Sequence, residues 1–367
     1  MGGIVRPKLL PTPFLFKSIP VDPVIFSTAI ASDLEKVLKS ISFSQLFVLT
    51  DQNTNQHCLP KVKSVFPENT FFHTVSAGEK NKNLSTCADI WSAMTKASLD
   101  RKALFINIGG GVIGDMGGFC ASIYKRGIRF INIPTTLLSQ VDASVGGKLG
   151  VDFEGLKNHL GTFNEPETVM ISPEFLTTLL AEELRSGYAE IIKHGLIQDR
   201  DYFEKLEIHH WENQSWMDLI KHSVGIKKKV VEEDPKEGGL RKILNFGHTI
   251  GHAFESYFLD SPKHLLHGEA IAIGMIAEGY LSYQKLDLSK SELDILTDFF
   301  LTIYGKFDFE EKDLSPILDL CLQDKKNEGS VLMFSLLNEI GDCGYNIPVS
   351  RNEIEEAIYY YKNLAKS

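Results

Sequence analysis

Two rhythms of apolar residues divide this chain. In the first half, short apolar runs end at turn-forming residues. Leu46-Phe-Val-Leu-Thr50 stops at Asp51-Gln-Asn53, and Thr70 to Val75 stops before Gly78-Glu79. Ala103 to Ile108 runs into Gly109, and Phe130 to Ile133 is stopped by Pro134. Between the second and third runs, Leu84, Ala88, Trp91 and Met94 recur at helical spacing, predicting a helix over 84–99. Strands alternating with helices predict a parallel sheet covered on both faces. Such sheets bind ligands beyond the carboxyl ends of their strands, where Asp51, Gly109 and Thr135 stand.

After Ile171-Ser-Pro173 the rhythm changes. Residues 174–197, 216–233, 244–258, 268–286, 291–303 and 352–365 all carry helical spacing, and Val331 to Leu336 is the one strand-like run. The expected organisation is an α/β Rossmann-like domain over 1–172 followed by a mainly α-helical domain over 173–367.

Composition narrows the function classes. The chain has 367 residues, 43% hydrophobic and 23% charged, which is globular usage with room for two cores. No stretch approaches the ~20 apolar residues of a membrane span, and the first residues lack the basic and apolar regions of a signal peptide. Five scattered cysteines without a Cys-x-x-Cys pair speak for a reducing, cytoplasmic setting. A formal charge of −10 argues against nucleic-acid partners. Yet Lys148, Lys157, Lys193, Lys227 and Arg241 sit in or beside the glycine- and histidine-rich segments. Local cations on an acidic protein suit capture of a small, multiply charged anion.

Two motifs carry chemistry. Gly109-x-Gly111-x-x-Gly114 follows a strand and matches the dinucleotide fingerprint, in which backbone N–H groups at a helix N-terminus cradle pyrophosphate. It does not sit on the first strand, and no acidic residue follows about twenty positions on. The ribose contact is therefore expected from Asp51. The second motif is a histidine cluster. His248 and His252 stand four apart on one helical face, and His264 and His267 follow. Thr249 replaces the glutamate that a zinc protease carries after its first histidine, so peptide hydrolysis is not expected. A catalytic divalent site needs about three protein ligands with open positions, and Glu190, one turn from Lys193, is a candidate carboxylate ligand.

The motifs Gly109-Gly-Gly-Val-Ile-Gly-Asp115, Pro134-Thr-Thr-Leu-Leu-Ser-Gln-Val-Asp142, Ser144-Val-Gly-Gly-Lys148, Leu244-Asn-Phe-Gly-His-Thr-Ile-Gly-His252 and Leu266-His-Gly-Glu269 occur in the order of one family. The chain resembles the 3-dehydroquinate synthases over almost its whole length. That resemblance implies a homodimeric lyase of the shikimate route. It would convert 3-deoxy-D-arabino-heptulosonate 7-phosphate to 3-dehydroquinate and phosphate, with NAD and a divalent metal, zinc or cobalt. Carried over by position, the metal ligands are Glu190, His248 and His267. The NAD contacts are Asp51, Asn53, Glu79, Lys82, Gly110, Gly111, Asp115, Thr135, Thr136, Asp142, Lys157 and Thr178. The substrate contacts are Lys148, Asn158, Lys193, Lys227, Arg241, Asn245 and His252, with Asp142 helping Lys193 to orient a hydroxyl. One of Lys325 and Lys326 joins them, and Arg126 reaches across the dimer interface. His194 stands where the family usually has tyrosine, and Leu156 where it often has glycine.

A substrate with a carboxylate and a phosphate accounts for the gathered cations. Lys227 and Arg241 suit the carboxylate, and Lys148, Asn158 and His252 the phosphate. Three rival readings follow from the same residues: a cyclase of the inosose or valiolone type, a metal-dependent polyol dehydrogenase that would release NADH, and a non-catalytic NAD-binding protein.

Overall fold

The computed structural model describes residues 23–143, 146–154, 156–323 and 331–365. Six parallel strands form the sheet of the first half: β1 (Val24–Phe26), β2 (Leu46–Asp51), β3 (Phe71–Val75), β4 (Leu104–Gly109), β5 (Arg129–Pro134) and β8 (Thr168–Ile171), in the order β1-β8-β5-β4-β2-β3. Alternate residues of each central strand face opposite cores. Phe47, Leu49, Phe105 and Phe130 pack with α3 (Leu84–Lys96) and α4 (Gly111–Ile123). Leu46, Val48, Leu104, Ile106 and Ile131 pack with α1 (Ile30–Ser40) on the other side. Burial on both faces is what near-continuous apolar strands require.

The register aligns the loops that matter. Thr50 pairs with Ile108 and Gly109 with Pro134, so Asp51, Gly110 and Thr135 leave three adjacent strands at the same end of the sheet. The backbone N–H of Thr135 donates to the Gly109 carbonyl at 3.0 Å. A hairpin, β6 (Lys148–Phe153) and β7 (Leu156–Phe163), lies over α4.

The second half is built around α9 (His267–Lys285), which is buried almost all round rather than along one stripe. Packed on it are α5 (Ala181–Gln198), α8 (His248–Phe258), α10 (Lys290–Tyr304) and α12 (Arg351–Asn363). Short α2 (Gln52–His57) and α6 (Arg200–Glu204), α7 (Trp216–Glu233) and α11 (Glu311–Gln323) complete the α-helices among the described residues. All five cysteines are buried and none forms a disulfide.

The structure corrects several local expectations. The helix expected over 174–197 begins at Ala181, because Pro173–Thr178 forms a separate 3-10 turn and Leu179 and Leu180 are extended. The helix expected over 244–258 breaks at Gly247, whose φ of 80° no continuous helix tolerates. The lone strand expected at Val331–Leu336 is half of a hairpin, β9 (Val331–Glu339) with β10 (Asp342–Ser350). β10 carries Gly344, Asn346 and Pro348, all poor strand formers, so pairing to β9 overrides local preference. β1 and β8 are only three and four residues long, too short to read as a pattern.

Candidate active site

In the second half, close helix packing builds a buried centre. Gly268 lets α9 meet α5 backbone to backbone: a Cβ there would lie 2.0 Å from the Ser186 carbonyl oxygen. The Gly268 N–H also donates to Ser186 Oγ at 2.9 Å. This contact brings Glu190 of α5 beside His267 of α9. Glu190 Oε1 lies 3.5 Å from His248 Nε2 and 3.9 Å from His267 Nε2. One ligand atom from each of His248, His252 and His267 falls within 4.8 Å of the others.

The turn before α8 aims His248. Gly247, in the left-handed region, donates its N–H to Glu278 Oε2 at 2.7 Å, and the Ile250 N–H donates to Glu278 Oε1 at 3.0 Å. The buried Glu278 carboxylate thus caps α8, a favourable place for negative charge. His248 Nδ1 sits 3.1 Å from the Phe246 carbonyl, which leaves Nε2 for the cluster. His264 is not part of it. That residue is exposed, and its Nδ1 lies 3.1 Å from the Leu259 carbonyl.

Glu190 is completely buried, yet neither carboxylate oxygen has a hydrogen-bond partner in acceptable geometry. Such a group is costly unless a charge compensates it. Burial alone would raise its pKa, but Lys193 Nζ at 2.5 Å, His267 and His248 hold it well below the carboxylate range. A buried carboxylate without a well-directed hydrogen bond, set among convergent imidazoles, is the donor set of a divalent cation. His194 lies behind this centre. Its Nδ1 is 2.6 Å from Ser223 Oγ, and burial and the Lys193 cation push it down to about 3, so the ring is neutral.

Three cations, Lys227, Arg241 and Lys148, are held by acceptors of their own. The Lys227 ammonium binds both the carbonyl and the carboxylate of Asp142, which lies in the π-helical turn Ser139–Ala143. Burial raises the Asp142 pKa, but the Lys227 charge outweighs it and holds the group at about 2. Arg241 is 4% exposed and donates from Nη1 to the Pro235 carbonyl at 2.8 Å. Lys148 pairs with Glu237, whose Oε1 also accepts from Asn245 Nδ2 at 2.9 Å.

On the first half, Lys82 is 4% exposed and links Asp115 Oδ2 at 2.7 Å to Asn158 Oδ1 at 2.6 Å. Asp51 caps α2 through Oδ1, which accepts from the Thr54 N–H at 2.8 Å. At the N-terminus of α4, a Cβ on Gly111 would meet no protein atom within 4 Å. That glycine borders open space next to unsatisfied helix N–H groups, a cradle for a phosphate. Thr136 and Ser139 bond one another in the following turn. Asn53, Glu79 and Thr178 lie around the same end of the sheet, partly or fully exposed. Arg126, with φ of 71°, is exposed after α4. Lys325 and Lys326 lie outside the described residues, as do Ser144 and Val145.

Three acidic residues escaped the sequence reading. Glu237 holds Lys148 and Asn245, and its place in a glycine-rich turn four residues before Arg241 was the available signal. Glu255 stands three and seven residues beyond His252 and His248, on the same face of α8. It contacts His267 and Lys157. Glu278 gave no such signal, being the lone charged position in the apolar stretch of α9 between Ala270 and Leu281.

A parallel sheet with a glycine loop, joined to a helical unit holding a buried His/carboxylate centre, is the fold of the sugar-phosphate cyclases. The 2-epi-5-epi-valiolone synthase of Streptomyces hygroscopicus subsp. jinggangensis, solved with NAD+ and Zn2+, superposes with TM-score 0.82 at 26% identity, covering 97% of this chain and 99% of that one. A 2-deoxy-scyllo-inosose synthase solved with carbaglucose-6-phosphate, NAD+ and Co2+ has the same fold, with TM-score 0.80 at 24% identity over 92% and 96% of the two chains. Sequence separates these from a nearer group. The models of the 3-dehydroquinate synthase N-terminal and C-terminal regions match residues 72–186 and 187–327. A 3-dehydroquinate synthase of Parabacteroides distasonis is 41% identical over 344 residues, 92% of this chain and 97% of the relative. The chain belongs to the 3-dehydroquinate synthase family, and it is a carbon–oxygen lyase of that type.

Proposed function

We propose that the protein converts 3-deoxy-D-arabino-heptulosonate 7-phosphate to 3-dehydroquinate and phosphate, with no net redox change. This reading is supported by the buried Glu190 carboxylate lying among His248, His267 and Lys193, with the Lys227–Asp142 ion pair close enough to act on Glu190. When bound, NAD supplies a transient hydride acceptor, and a divalent metal, zinc or cobalt, lowers the pKa of a substrate hydroxyl.

Glu190, His248 and His267 would hold the metal. His252, on the same helical face, is left for the substrate phosphate, together with Lys148 and Asn158. Arg241 and Lys227 would bind the carboxylate, Arg241 through paired N–H donors. Asn245 and one of Lys325 and Lys326 would complete the anion contacts, and Lys193 and Asp142 would orient the reacting hydroxyl. On the cofactor side, Asp51 keeps one carboxylate oxygen beyond its cap bond, suited to a ribose hydroxyl. Gly110 and Gly111 admit pyrophosphate. Asn53, Glu79, Lys82, Asp115, Thr135, Thr136, Lys157 and Thr178 would line the rest. Glu237, already bound to Lys148 and Asn245, would exchange with the incoming anion.

The same reading includes a homodimer in the cytoplasm. Exposed Ile123 (46%) and Phe163 (70%) lie in neighbouring segments tied by the Asn164–Ser122 hydrogen bond at 2.9 Å, close in sequence to Arg126. No helix among the described residues is long and apolar enough to cross a membrane. Sedimentation of Phe163→Glu tests the dimer: the reading expects monomer, and an unchanged sedimentation coefficient contradicts it. Metal content tests the ligand set. His248→Ala and His267→Ala should lose metal, whereas His252→Ala should keep metal and lose turnover.

A further inference from the structure

Glu255 touches both halves of the site. Its Oε2 lies 3.3 Å from His267 Nδ1, and its Oε1 lies 2.6 Å from Lys157 Nζ. The carboxylate is 9% exposed, and it comes from α8, while His267 opens α9 and Lys157 lies on β7 of the hairpin from the first half. The other nitrogen of His267, Nε2, faces Glu190. An imidazole that binds a metal through Nε2 must keep its proton on Nδ1. A carboxylate acceptor there fixes the tautomer and ring plane and raises the ligand's basicity.

The Lys157 contact has an electrostatic consequence. An ammonium on Oε1 draws negative charge from the carboxylate and weakens it as an acceptor for His267. It also adds positive charge near the place a cation would occupy. A cofactor phosphate that attracts Lys157 relieves both effects. We infer that Glu255 is a positioning residue shared by the two sites: it orients His267 for the metal and, through Lys157, makes metal and NAD affinities interdependent. The inference rests on the proposed roles of His267 and Lys157. Linkage requires each ligand to tighten the other by one common factor, and such couplings span roughly 5- to 150-fold.

The test is Zn2+ affinity, measured by competition with a chromophoric chelator, with and without saturating NAD, together with the visible spectrum of the Co2+ form. Wild type, Glu255→Gln, Lys157→Met and His267→Ala are compared. Wild type should bind Zn2+ at least about fivefold tighter with NAD. Glu255→Gln should weaken Zn2+ by roughly 10- to 100-fold, shift the Co2+ spectrum and remove the effect of NAD. Lys157→Met should bind Zn2+ tighter than wild type without NAD and gain nothing from NAD. If Glu255→Gln does not fold, Lys157→Met decides alone: Zn2+ affinity that still responds to NAD as in wild type overturns the inference. His267→Ala separates the two levels. Unchanged Zn2+ affinity there contradicts the ligand set itself. Loss of Zn2+ there, with wild-type affinity and NAD dependence in Glu255→Gln, overturns the role of Glu255 alone.

Discussion

The two halves of this molecule make their binding groups in opposite ways. The sheet domain offers backbone: N–H groups at the start of α4, an open edge at Gly111, and short loops leaving β2, β4 and β5 side by side. The helical unit offers side chains pointed inward from packed helices, with Glu190 and Lys193 at 0% and 1% exposure. A backbone cradle asks little of neighbouring residues. Buried charge asks for partners: Glu190 has Lys193, His248 and His267 around it, and Glu278 and Glu255 in turn hold the turn before His248 and the ring of His267. A substitution that only narrows a cradle should spare the fold, whereas one that disturbs the buried centre should cost both stability and ligand.

The largest effect should follow an added methyl at Gly268. With the Ser186 carbonyl 2.0 Å from the new carbon, α5 and α9 must separate. Overpacking of this kind costs about 1–3 kcal/mol or more. Gly268→Ala should lower Tm by several degrees and reduce bound metal together. Gly111→Ala meets no protein atom, so its Tm should match or exceed wild type while NAD affinity falls. Calorimetry with NAD titration checks both. Equal loss of stability in the two variants would break the contrast between the halves.

Next in size is the anion pocket. Arg241→Lys removes paired donors to the substrate carboxylate, and charge-assisted bonds contribute about 1.5–3 kcal/mol each. The expected fall in kcat/KM is roughly one to two orders of magnitude. An analogue lacking the carboxylate should lose far less. Steady-state kinetics with both substrates checks this.

A smaller effect concerns pH. The folded-state pKa of Asp142 is depressed to about 2 from 3.8, with burial opposed by Lys227. Its stabilising contribution is therefore present above 3.8 and lost as pH falls through about 2. Lys227→Met removes the main cation while burial remains, so Asp142 should titrate above its wild-type value. The acid limb of the pH–rate profile should move to higher pH, and an unmoved limb would show that Lys227 does not set the charge of Asp142.

The contrast also explains what the sequence disclosed. The strands β2, β4 and β5 and the helices α7, α9, α10 and α12 were legible because each buries a continuous run or a periodic stripe, and β3 because of its aromatic and β-branched residues, although most of it is exposed. The glycine loop was legible because its spacing is local, and His248 and His252 because four residues make one turn. The partners were not legible. Glu255 to His267, Glu278 to Gly247 and Glu237 to Lys148 span 12, 31 and 89 residues, and no local pattern encodes such contacts. The β9–β10 hairpin was half missed for the same reason, since β10 takes its form from its neighbour.

The most direct test of the account follows phosphate and NADH together. Purified protein is given the heptulosonate phosphate, zinc or cobalt, and NAD well below the substrate concentration. The account predicts phosphate release to many turnovers per NAD, without accumulation of NADH absorbance. Stoichiometric NADH without phosphate would contradict it and restore the polyol dehydrogenase reading.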